Sequence, residues 1–253
     1  MNLAETLHIG IDPTAGQKPY TFAVLDAECS LVDLGSCELK EIMDLASGLR
    51  DIYIAVNGPR NPNTGLVKKE MEGQGLLPGQ LRGTNLRKAE YLLRGKGILI
   101  TSTPSQENQC PEWMRSCFNL YNELDEIGFQ PFPTERSSKQ YLETHPHAAF
   151  CVLLQHQPLS KPTLEGRLQR QLTLYENKVG IKDPMQFFEE ITSHRLLQGI
   201  LPVDTIYAPE QLDALAAAFT AYLAARDPKK ISSIGSIEEG LIALPASELL
   251  PKY

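Results

Sequence analysis

The sequence of 253 residues offers no candidate membrane span and no candidate signal peptide. Its most apolar stretch, 212–225, is broken by Asp213 and Thr220 and falls short of the roughly 20 residues of a membrane span. Its first residues show neither a basic start nor an apolar core, so we expect no signal peptide. The five cysteines are an odd number without CxxC spacing, which favours reduced thiols in a cytoplasm. Without a candidate span or signal peptide, we expect a cytoplasmic protein with no membrane partner.

The sequence also lacks the common phosphate-binding and nucleophile motifs. No P-loop, GxSxG or GxGxxG occurs in its proper context, and no GK[ST] follows the turn that begins at Asp12. What is present is ordinary for a folded protein, with 42% hydrophobic and 22% charged residues. This content excludes extensive disorder and suits a single domain over 1–253.

Short apolar runs with intervening helical spacing predict an α/β fold on a mixed sheet. Runs at 7–11, 20–25 and 31–39 are separated by short turns, which predicts an antiparallel meander. The helical stretch 146–200 is interpreted as a possible insertion between the sheet and the last helix. The remaining predicted elements are helices at 41–49, 85–95, 111–127, 146–155, from 163, from 183 and at 209–226, and strands at 52–56, 98–101, 139–143 and 241–244.

Positive charge is concentrated in one segment of an acidic chain. The net charge of −7 argues against unspecific nucleic-acid binding, yet residues 60–96 carry a net charge of +5 and six glycines. Glycine lets a backbone approach a ligand closely, and cations suit a phosphate. The alternative is an ordinary solvated loop. The eight basic residues are Arg60, Lys68, Lys69, Arg82, Arg87, Lys88, Arg94 and Lys96.

Four carboxylates stand where elements begin or end. Asp12 follows the first strand and Glu143 ends a later one, while Glu210 and Asp213 share a side of the first turn of helix 209–226. Small neighbours would let this helix lie close to the sheet and bring Asp213 toward Asp12. Clustered carboxylates need a cation, and Mg²⁺ prefers oxygen ligands. The alternatives are a turn-forming Asp12 and helix-terminal acids that the dipole favours.

A zinc site at Glu143, His145 and His147 is a lesser alternative. Pro146 breaks the alternation of a strand, and no fourth ligand is evident. We expect the His-Pro pair to open a helix instead.

Seven short segments are spread, in order, over nearly the whole chain. They are Gly10-Ile11-Asp12, 52–56 with Asn57-Gly58-Pro59, Arg87-Lys88-Ala89-Glu90, 141–146, 160–167, 212–218 and 239–242. Together they resemble the family of predicted nucleases catalogued as domain of unknown function 429, with a ribonuclease H-like fold. The resemblance implies a sheet with an antiparallel front, a helix that brings a late acid to the first strand, and metal ligands at Asp12, Glu143 and Asp213. The chain departs from the family pattern at Asn57, where an acid is expected.

The leading hypothesis is a nuclease that uses Mg²⁺ or Mn²⁺ to hydrolyse phosphodiester bonds of nucleic acid. Asp12, Glu143 and Asp213 would hold the metal, with Glu210 and Asn57 as secondary ligands. One alternative is a non-catalytic nucleic-acid or protein-binding module with a metal site weakened at Asn57. Another is a phosphotransferase of the sugar-kinase and actin class, which also begins with strand, Asp, turn and strand.

Contacts with the nucleic acid are predicted from the basic residues. We expect Arg87 rather than Lys88 to face the ligand, because Arg87 would share a helix side with Arg94. The full predicted set is Lys68, Lys69, Arg87, Lys88, Arg94, Lys161 and Arg167.

Overall fold

The computed structural model describes residues 6–14, 20–49, 51–74 and 82–253, which form a mixed sheet with helices on both faces. The strands of the described residues are β1 (Leu7–Pro13), β2 (Tyr20–Leu25), β3 (Leu31–Cys37), β4 (Ile52–Asn57), β5 (Gln130–Pro131), β6 (Lys139–Thr144), β7 (Ser232–Ser236) and β8 (Gly240–Leu244). Their order is β3-β2-β1-β4-β6-β8-β7, and β5 pairs with one end of β6. β1 to β3 form an antiparallel meander, whereas β1, β4, β6 and β8 run parallel.

Nine helices occur among the described residues. They are α1 (Leu39–Ser47), α2 (Leu66–Gly73), α3 (Lys88–Gly95), α4 (Glu112–Glu126), α5 (Pro146–Leu154), α6 (Leu164–Glu176), α7 (Gln186–Glu189), α8 (Ser193–Leu197) and α9 (Pro209–Arg226). α1 and α4 cover one face of the sheet, and α9 covers the other with α5 and α6 packed against it. The predicted α/β class and antiparallel meander are confirmed, and the topology is compatible with a ribonuclease H-like fold.

Gly10 lets α9 lie directly on the sheet. A Cβ atom at this position would stand 2.0 Å from the carbonyl oxygen of Ala214 and 2.2 Å from the backbone nitrogen of Ala218. Ala217 and other small residues of α9 pack on Ala55 in the neighbouring strand. The backbones therefore approach closely, and the first turn of α9 is held beside the end of β1.

Several boundaries differ from the sequence prediction. The expected strand at 98–101 is wrong: Ile98 and Ile100 are buried against α3 and α5 without strand pairing, so their alternation reflects packing alone. β7 was not predicted, because its sequence Ser-Ser-Ile-Gly-Ser has a single apolar residue, yet it pairs with β8 in full register. The interpretation of 146–200 as an insertion stays a prediction.

Two global features concern membranes and thiols. Within the described ranges, every helix is too short or too polar to traverse a lipid bilayer. All five cysteines lie in those ranges, and each is buried and outside any disulfide bond.

Candidate functional site

The carboxyl ends of β1, β4 and β6 open into one cavity of about 360 Å³. The register pairs Ile11 with Val56 and Val56 with Glu143, so the next residues, Asp12 and Asn57, lie side by side at the edge. Ligand sites of open α/β sheets form beyond the carboxyl ends of parallel strands. The cavity therefore lies where this topology favours a ligand.

Asp12 lines this cavity, and Asp213 lies beside it, close enough for its charge to act on Asp12. Asp12 lies at the end of β1 and Asp213 in the first turns of α9, and their exposed fractions are 5% and 6%. The Nδ2 of Asn57 donates a hydrogen bond of 2.6 Å to Oδ1 of Asp12. The ammonium of Lys161, just before α6, forms an ion pair with Asp213. Two buried carboxylates thus share one ammonium and one amide.

The electrostatics show that this compensation is incomplete. Burial, followed by the charge of Asp213, raises the pKa of Asp12 to about 7, although Asn57 and Lys161 act in the opposite direction. Burial likewise raises the pKa of Asp213 in spite of Lys161. The charge of the exposed Glu210 raises both values further. Both carboxyl groups would be stabilised in their charged form by an additional cation.

The pair offers carboxylate oxygens to a cation, but the described residues do not form a cage made entirely of protein ligands. Among the residues that the structure describes, no three His, Cys, Asp or Glu side chains form a group that could hold a metal ion. Mg²⁺ usually keeps several waters and is bound through one or two carboxylates together with substrate phosphates. Asp12 and Asp213 supply two such carboxylates, and Asn57 acts as a donor to Asp12.

Glu143 is held apart from the two aspartates by Arg87. In β6, Glu143 lies on the same face of the sheet as Tyr141, toward α4. In β1, Asp12 lies on the same face as Gly10, toward α9. The guanidinium of Arg87 donates to both carboxylate oxygens, at 3.0 Å for Nη1 to Oε2. The structure therefore does not gather the predicted set of three acids, although Asp12 and Glu143 line the same cavity.

The prediction that Arg87 faces a nucleic acid needs correction. Its exposed fraction is 1%, and its Nε also donates to Glu90 at 3.0 Å. Burial opposes its charge, but Glu143 and then Glu90 hold the pKa of Arg87 above its ordinary value. Arg87 is the extended N-cap of α3, so the helical spacing that paired it with Arg94 does not apply.

The other basic residues predicted to contact nucleic acid differ in their exposure and in their partners within the protein. Lys88 forms an ion pair with Glu70, and Arg94 donates to the carbonyl of Ile100. Residues 75–81 of the basic segment lie outside the described residues. Lys68 and Lys69 are exposed on α2, and the Nζ of Lys68 lies 3.9 Å from Glu72.

Arg167 has a positioning role that the sequence did not indicate. Its guanidinium donates to the carbonyl oxygens of Ile206 and Tyr207, at 2.9 and 2.8 Å. These residues directly precede α9. Arg167 therefore ties α6 to the segment that leads into Asp213.

His145 opens α5, as predicted, and the structure does not support the zinc alternative. Its Nδ1 accepts a hydrogen bond of 3.2 Å from the backbone of Ala148, and Pro146 occupies the first turn. Burial and the neighbouring His147 lower the pKa of His145 to about 3, which keeps the ring neutral.

Sequence reasoning missed the buried network around Glu143. Glu90 accepts from Arg87 and Thr103, and Glu239 accepts from the backbone of Lys88 at 2.7 Å and of Thr64 at 3.0 Å. Glu239 thereby joins the starts of α2 and α3 to the β7–β8 turn. The available signal was the position of Glu90 three residues after Arg87, which is typical of a helix start.

Comparison with protein families finds one match. The model of the family described as "Protein of unknown function (DUF429)" matches residues 10–231. Neither the curated proteins nor the solved structures include a match to the chain.

Proposed function

The chain belongs to the family described as protein of unknown function (DUF429), and we propose that it is a metal-dependent nuclease that hydrolyses phosphodiester bonds of nucleic acid. One observation carries the proposal. A buried pair of aspartates at the carboxyl edge of the sheet has raised pKa values, because burial disfavours the charged carboxylates and one lysine offsets only part of this effect.

A divalent cation is the natural complement of this pair. Asp12 and Asp213 would hold Mg²⁺ or Mn²⁺, and Glu210 would attract it from the exposed first turn of α9. When bound, such an ion stabilises the charge that develops on a phosphoryl oxygen and lowers the pKa of water. An amide at Asn57 leaves the site with fewer negative charges than an acid there would, so we expect metal affinity to depend on the substrate phosphate.

The protein's own residues would position the phosphodiester. Lys161 lines the cavity and carries an ammonium that can contact a phosphate oxygen while it remains near Asp213. The Arg87–Glu143 pair fixes the end of β6 and leaves little net charge on that wall. The exposed Lys68 and Lys69 would add sequence-independent attraction to the nucleic-acid backbone.

The proposal is tested with labelled single- and double-stranded DNA and RNA in Mg²⁺ or Mn²⁺. We expect cleavage by the full chain and a loss of at least about 100-fold in Asp12→Asn and in Asp213→Asn. The matched control is Asp227→Asn, since Asp227 forms an exposed ion pair with Lys230 away from the cavity. Calorimetric Mg²⁺ titration should show binding by the wild type and the control, and weakened binding by the two site variants.

Two other outcomes identify the alternatives. Binding of nucleic acid without cleavage and without Mg²⁺ binding at millimolar metal would indicate a non-catalytic module. Thermal stabilisation by a nucleoside triphosphate, without nucleic-acid cleavage, would indicate a phosphotransferase. Full cleavage activity in Asp12→Asn would refute the assigned site.

A further inference from the structure

A second cavity, of about 310 Å³, adjoins the first at Glu143. It opens along β6, between the residues that pair with β5 and those that pair with β8. Most of its lining side chains are aromatic or apolar, in contrast to the acidic first cavity. Those that matter here are Tyr121, Phe132, Tyr141 and Ile237, together with the cation Arg60.

The guanidinium of Arg60 forms a flat part of the wall of this second cavity, and two neighbouring side chains hold it in place. Its Nη2 lies 3.1 Å from Oδ2 of Asp125, and its guanidinium lies 5.1 Å from the centre of the Tyr141 ring. The hydroxyl of Tyr141 donates to the same Asp125 at 2.7 Å. A guanidinium held by a carboxylate and a ring has its plane preorganised for stacking.

Ile237 offers a second apolar surface, at the turn between β7 and β8. Its exposed fraction is 93%, so folding gains almost nothing from its side chain, although it lines the cavity. Exposed aliphatic side chains of this kind can wedge against bases in nucleic-acid complexes. Ile237 is therefore available for contact with a ligand.

The two cavities are neighbours along one loop and share Glu143 in their walls. Pro59 lines the first and Arg60 the second, and the backbone nitrogen of Arg60 donates to Oε2 of Glu143 at 3.2 Å. Because the cavities are adjacent, we expect a strand whose phosphate lies in the first to bring its next nucleotide to the second.

We infer that the second cavity binds an unstacked nucleobase next to the phosphodiester bond that the first cavity holds. This inference rests on the proposed nuclease function and specifies its substrate class: single-stranded nucleic acid, or a strand that is locally unpaired. Aromatic rings and arginine planes stack on bases of any sequence, whereas a base inside a duplex presents no free face. A second phosphate is disfavoured, because the carboxylates of Asp125, beside Arg60, and of Glu143, in the wall, would repel it.

The test uses variants that separate ligand contact from folding. Ile237→Ser alters a side chain that packs against little, and Leu197→Ser is its matched control, because Leu197 on α8 is 89% exposed and does not line the cavity. Phe132→Leu removes an aromatic face but keeps an apolar side chain. Binding of labelled single-stranded DNA and RNA is followed by fluorescence anisotropy with Ca²⁺ in place of Mg²⁺, and electrophoresis after each titration verifies that the strand is intact.

Oligonucleotides that lack one base, moved along the strand, give the second readout. We expect one position at which removal of the base weakens wild-type binding by about 5- to 150-fold, the range for loss of one stacked base. Ile237→Ser and Phe132→Leu should weaken binding to the intact strand and lose sensitivity at that position, whereas Leu197→Ser should behave as wild type.

The outcomes separate this inference from the proposed function. If base removal has no effect at any position, or if both cavity variants bind as the wild type does, the nucleobase site is refuted while Mg²⁺-dependent cleavage still supports the nuclease. If no oligonucleotide binds, the inference is refuted, and the cleavage and calorimetry experiments decide the proposed function. Tighter binding to a duplex than to the single strand would also refute it.

Discussion

Two groups of buried carboxylates lie at or beside the same cavity with different partners. Glu143 has the guanidinium of Arg87, which donates to both of its oxygens and is itself enclosed. Asp12 and Asp213 share Lys161, whose side chain is 41% exposed, and the pKa of Asp12 rises to about 7. The comparison teaches that a buried acid with its own cation belongs to the fold. A pair of acids with too little positive charge is where an external cation is expected.

The largest effect should come from removing the cation of the first group. Arg87→Met leaves Glu143 and Glu90 buried without their partner, and we expect it to lower the free energy of unfolding by about 3–5 kcal/mol. Urea denaturation measures this change. The control, Arg195→Met, breaks only the exposed pair with Glu190 and should change stability by less than about 0.5 kcal/mol. Equal stability of the two variants would show that the buried partners of Arg87 contribute no more to stability than an exposed ion pair does.

A pH series tests the second group. The pKa of Asp12 is raised from 3.8 to about 7, so the folded protein binds this proton more tightly than the unfolded chain does. The stabilisation is therefore complete below about pH 4 and is lost as the pH rises to about 7. Between pH 4 and 7 we expect the wild type to lose roughly 2–4 kcal/mol of its free energy of unfolding through this group, because one pKa unit corresponds to about 1.4 kcal/mol. Asp12→Asn should not show this loss. Identical unfolding profiles of wild type and variant between pH 4 and 8 would contradict the assignment.

Adding a carboxylate should sharpen the contrast between the groups. Asn57→Asp replaces the donor to Asp12 with a third negative charge at the sheet edge. We expect the protein without metal to be less stable and Mg²⁺ to bind about tenfold more tightly, a gain of roughly 1.4 kcal/mol. Calorimetry measures the affinity, with the exposed Asn177→Asp as control. Unchanged affinity would place Asn57 outside the metal site.

Lys161→Met is the counterpart of Arg87→Met and should have a milder result. Lys161 is partly exposed, so water can replace its ammonium at Asp213, and we expect a stability loss of about 1 kcal/mol. Because the variant removes a competing cation, Mg²⁺ should bind about fivefold more tightly. Thermal unfolding with and without Mg²⁺ measures both effects. A loss as large as that of Arg87→Met would show that Lys161 has the same structural role.

The smallest effect is expected on the exposed surface of α2. Lys68→Ala together with Lys69→Ala should weaken single-stranded nucleic-acid binding similarly for all sequences. Each phosphate contact that is lost should reduce the slope of log affinity against log salt by about 0.7. A salt titration by anisotropy compares this variant with the wild type. Equal slopes would show that these lysines are ordinary solvated side chains.

The sequence predicts the fold better than it predicts the surroundings of the site. Strand alternation and the small residues of 209–226 indicate that this helix lies on the sheet, because these patterns depend on local spacing. The partner of Glu143 could not be predicted, since Arg87 comes from a distant segment and is matched by tertiary packing. Asp12 and Asp213 were identified because each lies at the end of an element whose position the topology determines.

The contact between Gly10 and α9 also affects how the protein is made. β1 is synthesised well before its partner α9, and most of the described elements lie between them in the chain. Contacts between such distant segments close late and slow down folding. A nascent chain that stops before Pro209 has Asp12 without Asp213 and leaves the face around Gly10 and Ala55 uncovered. Until α9 emerges from the ribosome, we therefore expect the growing chain to be inactive and prone to aggregation.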